Sequence, residues 1–330
     1  MNQDWDVLIT GGLLFDGSGT APFVEDLALA GGRIAARGRG LDPTRAKAVH
    51  DARGPWVMPG LFDIHTHLDL EVELAPGLTE VGRHGTTTVV FGNCSLGTAF
   101  GAQRRGVDDP ILDCFARVEN IPKEVLKRCV DVITWQTTGE YLEHLSTLPL
   151  GPNVVPMIPH SMLRIEAMGV EQSIARQPTE AELARMEQLL EEAMAQGYVG
   201  FSTDNIPFHF LANQPHTAAK IPSPYASRDE QKRLLDVVRN HDRVWQATPD
   251  TLNRLATFKR FLYTSGRLFG KQFAASIVGV TGVSRLHNAG QKRAPTGVHA
   301  TFGRRGTTVG SGRYAMGGNK PCAAGARHRQ

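Results

Sequence analysis

Met58-Pro59-Gly60-Leu61-Phe62-Asp63-Ile64-His65-Thr66-His67 is the stretch on which the reading of this chain turns. Pro-Gly opens it as a turn, residues 61–65 read as a strand, and two imidazoles stand two residues apart at its end. Residues i and i+2 of a strand face the same side, so His65 and His67 are expected to present both rings to one space. Imidazole is the commonest metal-binding side chain, and zinc is a frequent partner. Downstream, residues 78–84 predict a short helix ended by Gly85. The β-branched run Thr86-Thr87-Thr88-Val89-Val90-Phe91 then predicts a second strand, which ends at Gly92-Asn93-Cys94.

Upstream the grammar differs. Asp6-Val7-Leu8-Ile9-Thr10 runs into Gly11-Gly12, and Asp26-Leu27-Ala28-Leu29-Ala30 into Gly31-Gly32. Strand, Gly-rich turn, strand predicts hairpins and a small antiparallel β domain over residues 1–56. From 57 to 265 strands alternate with helices, which predicts a parallel sheet covered by helices. Thr179-Glu180-Ala181-Glu182 and Ser227-Arg228-Asp229-Glu230 both read as capping boxes that open helices. Strands are expected after those helices, at 198–203 and 243–248. About five strand–helix units fit by residue 265, short of the eight, over about 250 residues, that close a barrel.

The Pro-Gly, apolar pair, Asp, one residue, His-x-His pattern resembles the entry motif of the amidohydrolase superfamily. Phe91-Gly92-Asn93-Cys94 is similar to a strand end of the N-acyl-D-amino-acid deacylase (D-aminoacylase) family. Gly200-Phe201-Ser202-Thr203 and Pro159-His160-Ser161-Met162-Leu163-Arg164 are similar to two more of its segments. The likeness covers residues 5–265. It implies an α/β fold, a metal-dependent hydrolase barrel of the TIM type that is incomplete here, behind a small N-terminal β-sandwich domain. It implies zinc, as one or two ions, with His65, His67 and Cys94 as metal ligands. The implied reaction is hydrolysis of a linear amide C–N bond in a small-molecule N-acyl amino acid, releasing a D-amino acid and a carboxylate. For Cys94 the competing reading is a small buried hydrophobe.

Two departures from the family pattern matter. Its general base is an Asp at the end of the last barrel strand, and no acidic residue follows Asp250 here. Its fifth strand carries a His ligand, whereas Val244-Trp245-Gln246-Ala247-Thr248 carries none. Candidates for substrate contact are His160 and Arg164, since Arg meets a carboxylate bidentately, and His209 and Tyr225 in the loop 206–225. An ordinary ion pair competes for the first two, and a solvated loop for the others. Asp63 is expected to support the strand end or to orient a histidine. A truncated, non-catalytic homologue is one alternative. A cyclic-amide hydrolase of the hydantoinase type is another, although such enzymes usually carry a carboxylated Lys on the fourth strand and residues 198–203 contain no Lys.

Charge divides the chain. Residues 1–250 hold all 33 acids against 22 basic residues, while the last 80 residues hold 14 Lys and Arg and no acid. A basic tail can bind nucleic acid, but this one lacks interleaved aromatic residues for stacking, and no nucleic-acid partner is expected. Its Gly, Ala and Arg enrichment over 266–330 is read instead as a shifted reading frame from about residue 272. Four cysteines in 330 residues are too few for a disulfide framework. No run approaches the roughly 20 apolar residues of a membrane span, and the acidic start is unlike a signal peptide, so a cytoplasmic protein is expected. Missing barrel strands predict an exposed sheet edge and self-association.

Overall fold

The computed structural model describes residues 4–103, 109–250, 252, 253, 255 and 257–260, with backbone pairing alone for the strands at 275–277, 300–302 and 307–308. It divides into two compact units, Met1–Phe62 and Asp63–Gln330.

The first unit is one mixed sheet of β1 (Trp5–Leu14), β2 (Phe23–Ala30), β3 (Arg33–Gly38), β4 (Ala46–Asp51) and β5 (Trp56–Val57), in the order β3-β2-β1-β4 with β5 also on β1. The expected turn at Gly11-Gly12 is instead a bulge inside one ten-residue strand, where the β1–β2 register shifts between Ile9 and Gly12. Gly11 takes φ +66°, and its N–H donates to Asp26 Oδ1 at 2.8 Å. The other carboxylate oxygen of Asp26 accepts from Leu41 N at 3.0 Å. A buried carboxylate therefore bridges two backbone amides across the kink, and the chain bends without reversing. Nor is the sheet wholly antiparallel, because β4 and β5 run parallel to β1. Among the described residues the unit is a single sheet, not the expected sandwich, with Trp5, Leu8, Ala28 and Ala46 as its core.

The second unit is α/β. β6 (Leu61–Asp63) falls on the boundary of the two units; within the second, β7 (Thr86–Phe91) and β8 (Asn153–Pro156) pair in one sheet, and β9 (Ile158–Pro159), β10 (Gly200–Asp204), β11 (Val244–Thr248), β12 (Ala275–Ile277), β13 (Ala300–Phe302) and β14 (Thr307–Thr308) form the next in sequence order. β8 and β9 are separated only by Met157, whose N–H donates to Phe91 O at 3.1 Å. β7 is parallel to β8, and β10 is parallel to both β9 and β11. Parallel order continues onto β12, past the end expected at residue 265, before β13 and β14 pair antiparallel. From β7 to β8 and from β9 to β12, neighbouring strands are thus parallel and in sequence order.

The helices obey their sequence signals closely. Thr179 caps Glu180–Gln196 with both bonds of the capping box, and Gly197 at φ +114° ends it. Its apolar stripe (Leu183, Met186, Leu190, Ala193) is buried in the main core with Phe201, Leu234 and Trp245. Ser227 caps Arg228–Asn240 through its own side chain, which accepts from Glu230 N at 3.1 Å. Glu230 does not return the bond; its carboxylate turns inward, as described below.

Strand spacing leaves no room at Gly200. A Cβ there would lie 2.1 Å from Val244 O on the neighbouring strand. Gly200→Ala is expected to destabilise the fold by about 1–3 kcal/mol, the usual range for overpacking, read as a lower midpoint in denaturant at unchanged slope.

Candidate metal centre

The strand that leads into the motif ends at Asp63, two residues before His65. The two histidines therefore occupy irregular chain, not the strand alternation expected of them. Asp63 helps define the path by accepting a hydrogen bond from His65 N at 3.1 Å on Oδ1. Between the histidines, Thr66 turns away and donates to Val90 O at 2.7 Å, tying the segment to β7. The imidazoles meet edge to face with centroids 5.1 Å apart.

β7 delivers the third residue. Beyond Phe91 the backbone enters the left-handed region at Gly92 (φ +76°), Cys94 (φ +49°) and Ser95 (φ +66°). At Gly92 a Cβ would lie 2.4 Å from Met157 O, so glycine is required both by φ and by space. The turn is held from several directions. Gly92 N donates to Asp69 Oδ1 at 2.8 Å, and Asn93 Nδ2 donates to Val90 O at 2.9 Å. Cys94 N donates to Gln246 Oε1 at 3.2 Å, and Ser95 N donates to Ser202 Oγ at 3.1 Å. Thr248 Oγ1 reaches Cys94 Sγ at 3.3 Å and accepts from Gln246 Nε2 at 3.0 Å.

This bracing sets Cys94 Sγ 3.2 Å from His65 Nε2. One donor atom from each of His65, His67 and Cys94 lies within 4.8 Å of the others. The donor set, two imidazoles and a thiol, is of the kind that binds zinc. His67 Nδ1 is buried without a hydrogen bond; its nearest charged neighbour is Glu119 Oε1 at 3.6 Å. Burial, then the charge of His209, lowers the His67 pKa to about 4, which keeps the ring in the neutral form that binds metals. Burial pushes the Cys94 thiol well up, and Asp204 adds to the shift. Asp69 rises to about 7, chiefly by burial; Glu119 and Asp204 are raised from the same main cause. A cation favours the charged form of every one of these acids.

The other sequence candidates are placed differently. His160 and Arg164 have no exposed side-chain surface, and Glu230 occupies the role foreseen for a substrate carboxylate. His160 Nε2 lies 2.9 Å from Glu230 Oε1, Arg164 Nη1 donates to Glu230 Oε2, and Arg164 Nη2 donates to Ser173 O at 2.9 Å. The expectation that this pair meets substrate is corrected: both are spent on a structural ion cluster sealed from solvent. Tyr225 accepts from Lys220 N at 3.1 Å through its hydroxyl and so braces the loop. His209, 12% exposed, pairs with the buried Asp204 at 2.9 Å. Nothing local in sequence marks Gln246 as the support of Cys94 or Asp204 as the partner of His209.

No family model matches the chain. An uncharacterised protein of Mycobacterium tuberculosis (strain H37Rv) is 40% identical over 299 residues, 89% of this chain and 47% of that protein. A match of that length cannot end before about residue 290, so the likeness runs past residue 272, where the reading frame was expected to shift. N-acyl-D-aspartate deacylase of Alcaligenes xylosoxydans xylosoxydans is 36% identical over 200 residues, 60% of this chain and 36% of that enzyme. The crystal structure of N-acyl-D-glutamate deacylase from Bordetella bronchiseptica, complexed with zinc and a phosphonate inhibitor, superposes with a TM-score of 0.65 at 27% identity, covering 83% of this chain and 52% of that one. The chain spans about half the length of the curated relatives with the longest matches. Among the described residues no helix is long and apolar enough to cross a membrane.

Two substitutions test this description. Gln246→Leu removes the acceptor for Cys94 N and is expected to weaken zinc binding about 10- to 100-fold, as losses beside ligands do, in competition with a chromogenic chelator; unchanged affinity would mean the turn holds itself. Glu230→Gln leaves Arg164 buried without its counter-charge and is expected to cost about 3–5 kcal/mol of stability, measured by urea unfolding.

Proposed function

From its kinship with the N-acyl-D-amino-acid deacylases of the amidohydrolase superfamily, we propose that this chain is a zinc-dependent hydrolase of N-acyl-D-amino acids. The observation that carries the reading is the convergence of His65, His67 and Cys94, from two separate segments, on one point within 4.8 Å. Strand order supports it. Within each sheet, β7 to β8 and β9 to β12 are parallel and run in sequence order, as barrel strands do, whereas the order of a doubly wound sheet turns back at a switch point. The second unit is accordingly read as part of a TIM-type barrel, and the site gathers where such barrels keep theirs, beyond the C-terminal ends of the strands.

In this reading His65, His67 and Cys94 hold zinc. Bound there, zinc supplies Lewis acidity toward an acyl carbonyl and acidifies water to a pKa near 7. The protein's own contributions are separable from that. Gln246 and Thr248 hold the Cys94 turn, Asp63 and Thr66 hold the histidine segment, and His209 of the loop 206–225 is near enough for its charge to be felt at His67. The small N-acyl amino acid enters from that side, with His209 the loop residue offered to it.

One observation favours a second reading, a non-catalytic homologue: β11 carries Gln246 and no histidine, where the resemblance implies a metal ligand. Purified chain loaded with zinc and offered N-acetyl-D-amino acids with acidic and apolar side chains separates the two. About one zinc per chain with release of a D-amino acid is expected, and Cys94→Ala is expected to abolish both. Zinc without turnover selects the non-catalytic protein, while a wild-type chain that holds no zinc removes the metal reading altogether.

A further inference from the structure

One carboxylate of the second unit stands where helix chemistry disfavours it. The helix Pro110–Val118 is capped at its start by Asp109, whose side chain accepts from Ile111 N at 3.0 Å, and it buries Ile111 and Phe115 in the main core. Glu119 follows as the C-cap and donates its N–H to Phe115 O at 3.0 Å. Residues four apart share a helix face, so Ile111, Phe115 and Glu119 form one row, and an acid takes the next place in a buried apolar stripe. It also sits at the helix C-terminus, where the helix dipole opposes negative charge. We propose that Glu119 is the positioning residue of His67: its carboxylate takes the Nδ1 side of the ring and leaves Nε2 for the metal.

The contact is direct. Glu119 Oε1 lies 3.6 Å from His67 Nδ1, with the two side chains 22% and 19% exposed. His67 Nδ1 is buried without a hydrogen bond, and among the described residues His67 is the one partner of the Glu119 carboxylate. Glu119 is not among the three residues whose donor atoms gather within 4.8 Å. It therefore touches a ligand from outside the ligand group, the place from which carboxylates orient metal-binding histidines. At 3.6 Å the pair is slightly longer than a hydrogen bond, and it tightens as Nε2 gives its lone pair to a cation and Nδ1 keeps the proton.

Both partners are held from elsewhere. Asp113, on the same helix, accepts from Asn213 N at 2.5 Å and from Ala212 N, and Arg117 Nη1 donates to Leu211 O at 3.1 Å. The helix thus cannot shift without the loop 206–225. On the other side, Thr66 donates to Val90 O at 2.7 Å, and its own carbonyl accepts from Asn93 Nδ2 at 3.2 Å. The backbone before His67 is thereby tied to β7 and to the turn that carries Cys94.

What those bonds leave open is which ring nitrogen of His67 keeps its proton. A neutral imidazole has two tautomers, and an ionised carboxylate only accepts. With Glu119 at Nδ1, the tautomer that donates from Nδ1 is favoured and the lone pair resides on Nε2. The misplaced acid of the helix and the unsatisfied nitrogen of the ligand then answer one another.

This role rests on the metal reading above, and the measurements separate the two without any need for turnover. The full chain is titrated with zinc against a chromogenic chelator. Long-range proton–nitrogen correlation then reads the histidine rings of the zinc-loaded chain, with His67→Gln identifying the His67 signals. His67 is expected to carry its proton on Nδ1 and the metal on Nε2. Glu119→Leu is expected to weaken zinc binding about 10- to 100-fold, and Glu119→Gln, whose side-chain oxygen can still accept from Nδ1, to lose less. With cobalt in place of zinc, Glu119→Leu is expected to keep the parent's visible band intensity, which follows the number of ligands. Unchanged zinc affinity in Glu119→Leu overturns the proposal. An equal loss in both variants overturns it too, because the ring would then answer to charge and not to an acceptor. A changed cobalt spectrum makes Glu119 a ligand and overturns it as well. If Glu119→Leu does not fold, the tautomer of the parent chain decides: metal on Nδ1 removes the role of Glu119 and leaves the metal reading standing. A parent chain that takes up no zinc removes both.

Discussion

The left-handed turn at Cys94 is the constraint on which the site depends. An L-residue pays about 1–2 kcal/mol to enter that region, and here Cys94 and Ser95 enter it in succession. The cost is met by hydrogen bonds from outside the turn. Gln246 on β11 accepts from Cys94 N, Ser202 on β10 accepts from Ser95 N, and Asp69 accepts from Gly92 N. None of these partners is near in sequence, so the thiol reaches His65 only once β7, β10 and β11 are in register. Formation of the donor cluster is therefore coupled to formation of the sheet. A one-residue slip of β11 would turn Gln246 to the opposite face and release the turn.

A second buried cluster ties the helical layer to the same framework. Glu230 sits in the first turn of its helix with no exposed side chain, between His160 and Arg164. Such a charge group adds little net stability, because desolvation offsets attraction, but it allows few arrangements. Ser223 links His160 to the backbone of Asp204. Ser161, beside His160, accepts from Ser95 Oγ at 2.9 Å. The ion cluster thus fixes helix, loop and strand end together, and its polar links lead back to the turn that carries Cys94.

Much of this was legible in the sequence, and the gaps have physical causes. β7 and the capped helix Glu180–Gln196 follow from local signals: β-branching, a capping box, an apolar stripe, a glycine stop. His65, His67 and Cys94 were readable as a set because the surrounding motif is specific. The strand geometry assumed for the two histidines was wrong, since an i, i+2 pattern persists in sequence after the strand has ended at Asp63. Glu230 misled in another way. Its spacing from Ser227 matches a capping box, but Arg164 and His160 compete for the carboxylate, and a buried counter-charge outbids a solvent-exposed backbone amide. Gln246 and Thr248 were invisible as supports, because what they support lies about 150 residues away. At Gly11-Gly12, the same dipeptide that signals a hairpin serves a bulge once Asp26 is available to hold its amide.

The electrostatics give the arrangement its direction. Asp69, Glu119, Asp204 and Cys94 all have charged forms disfavoured by burial, and each of the three carboxylates penalises at least one other group. Clustering acids this closely costs stability unless positive charge offsets it. His67 cannot provide that charge by protonation, since its own burial opposes it. The strand ends contribute in order: the irregular segment after β6 brings two imidazoles, β7 a thiol, β10 the Asp204 carboxylate with its histidine, and β11 the amide and hydroxyl that steady the thiol. Parallel strands in sequential order bring successive C-terminal ends to one side, so this assembly follows from topology as well as from residue type. What these residues share is a preference for a cation among them, and a soft sulfur beside two imidazoles suits a borderline cation such as zinc better than the hard, oxygen-seeking magnesium or calcium.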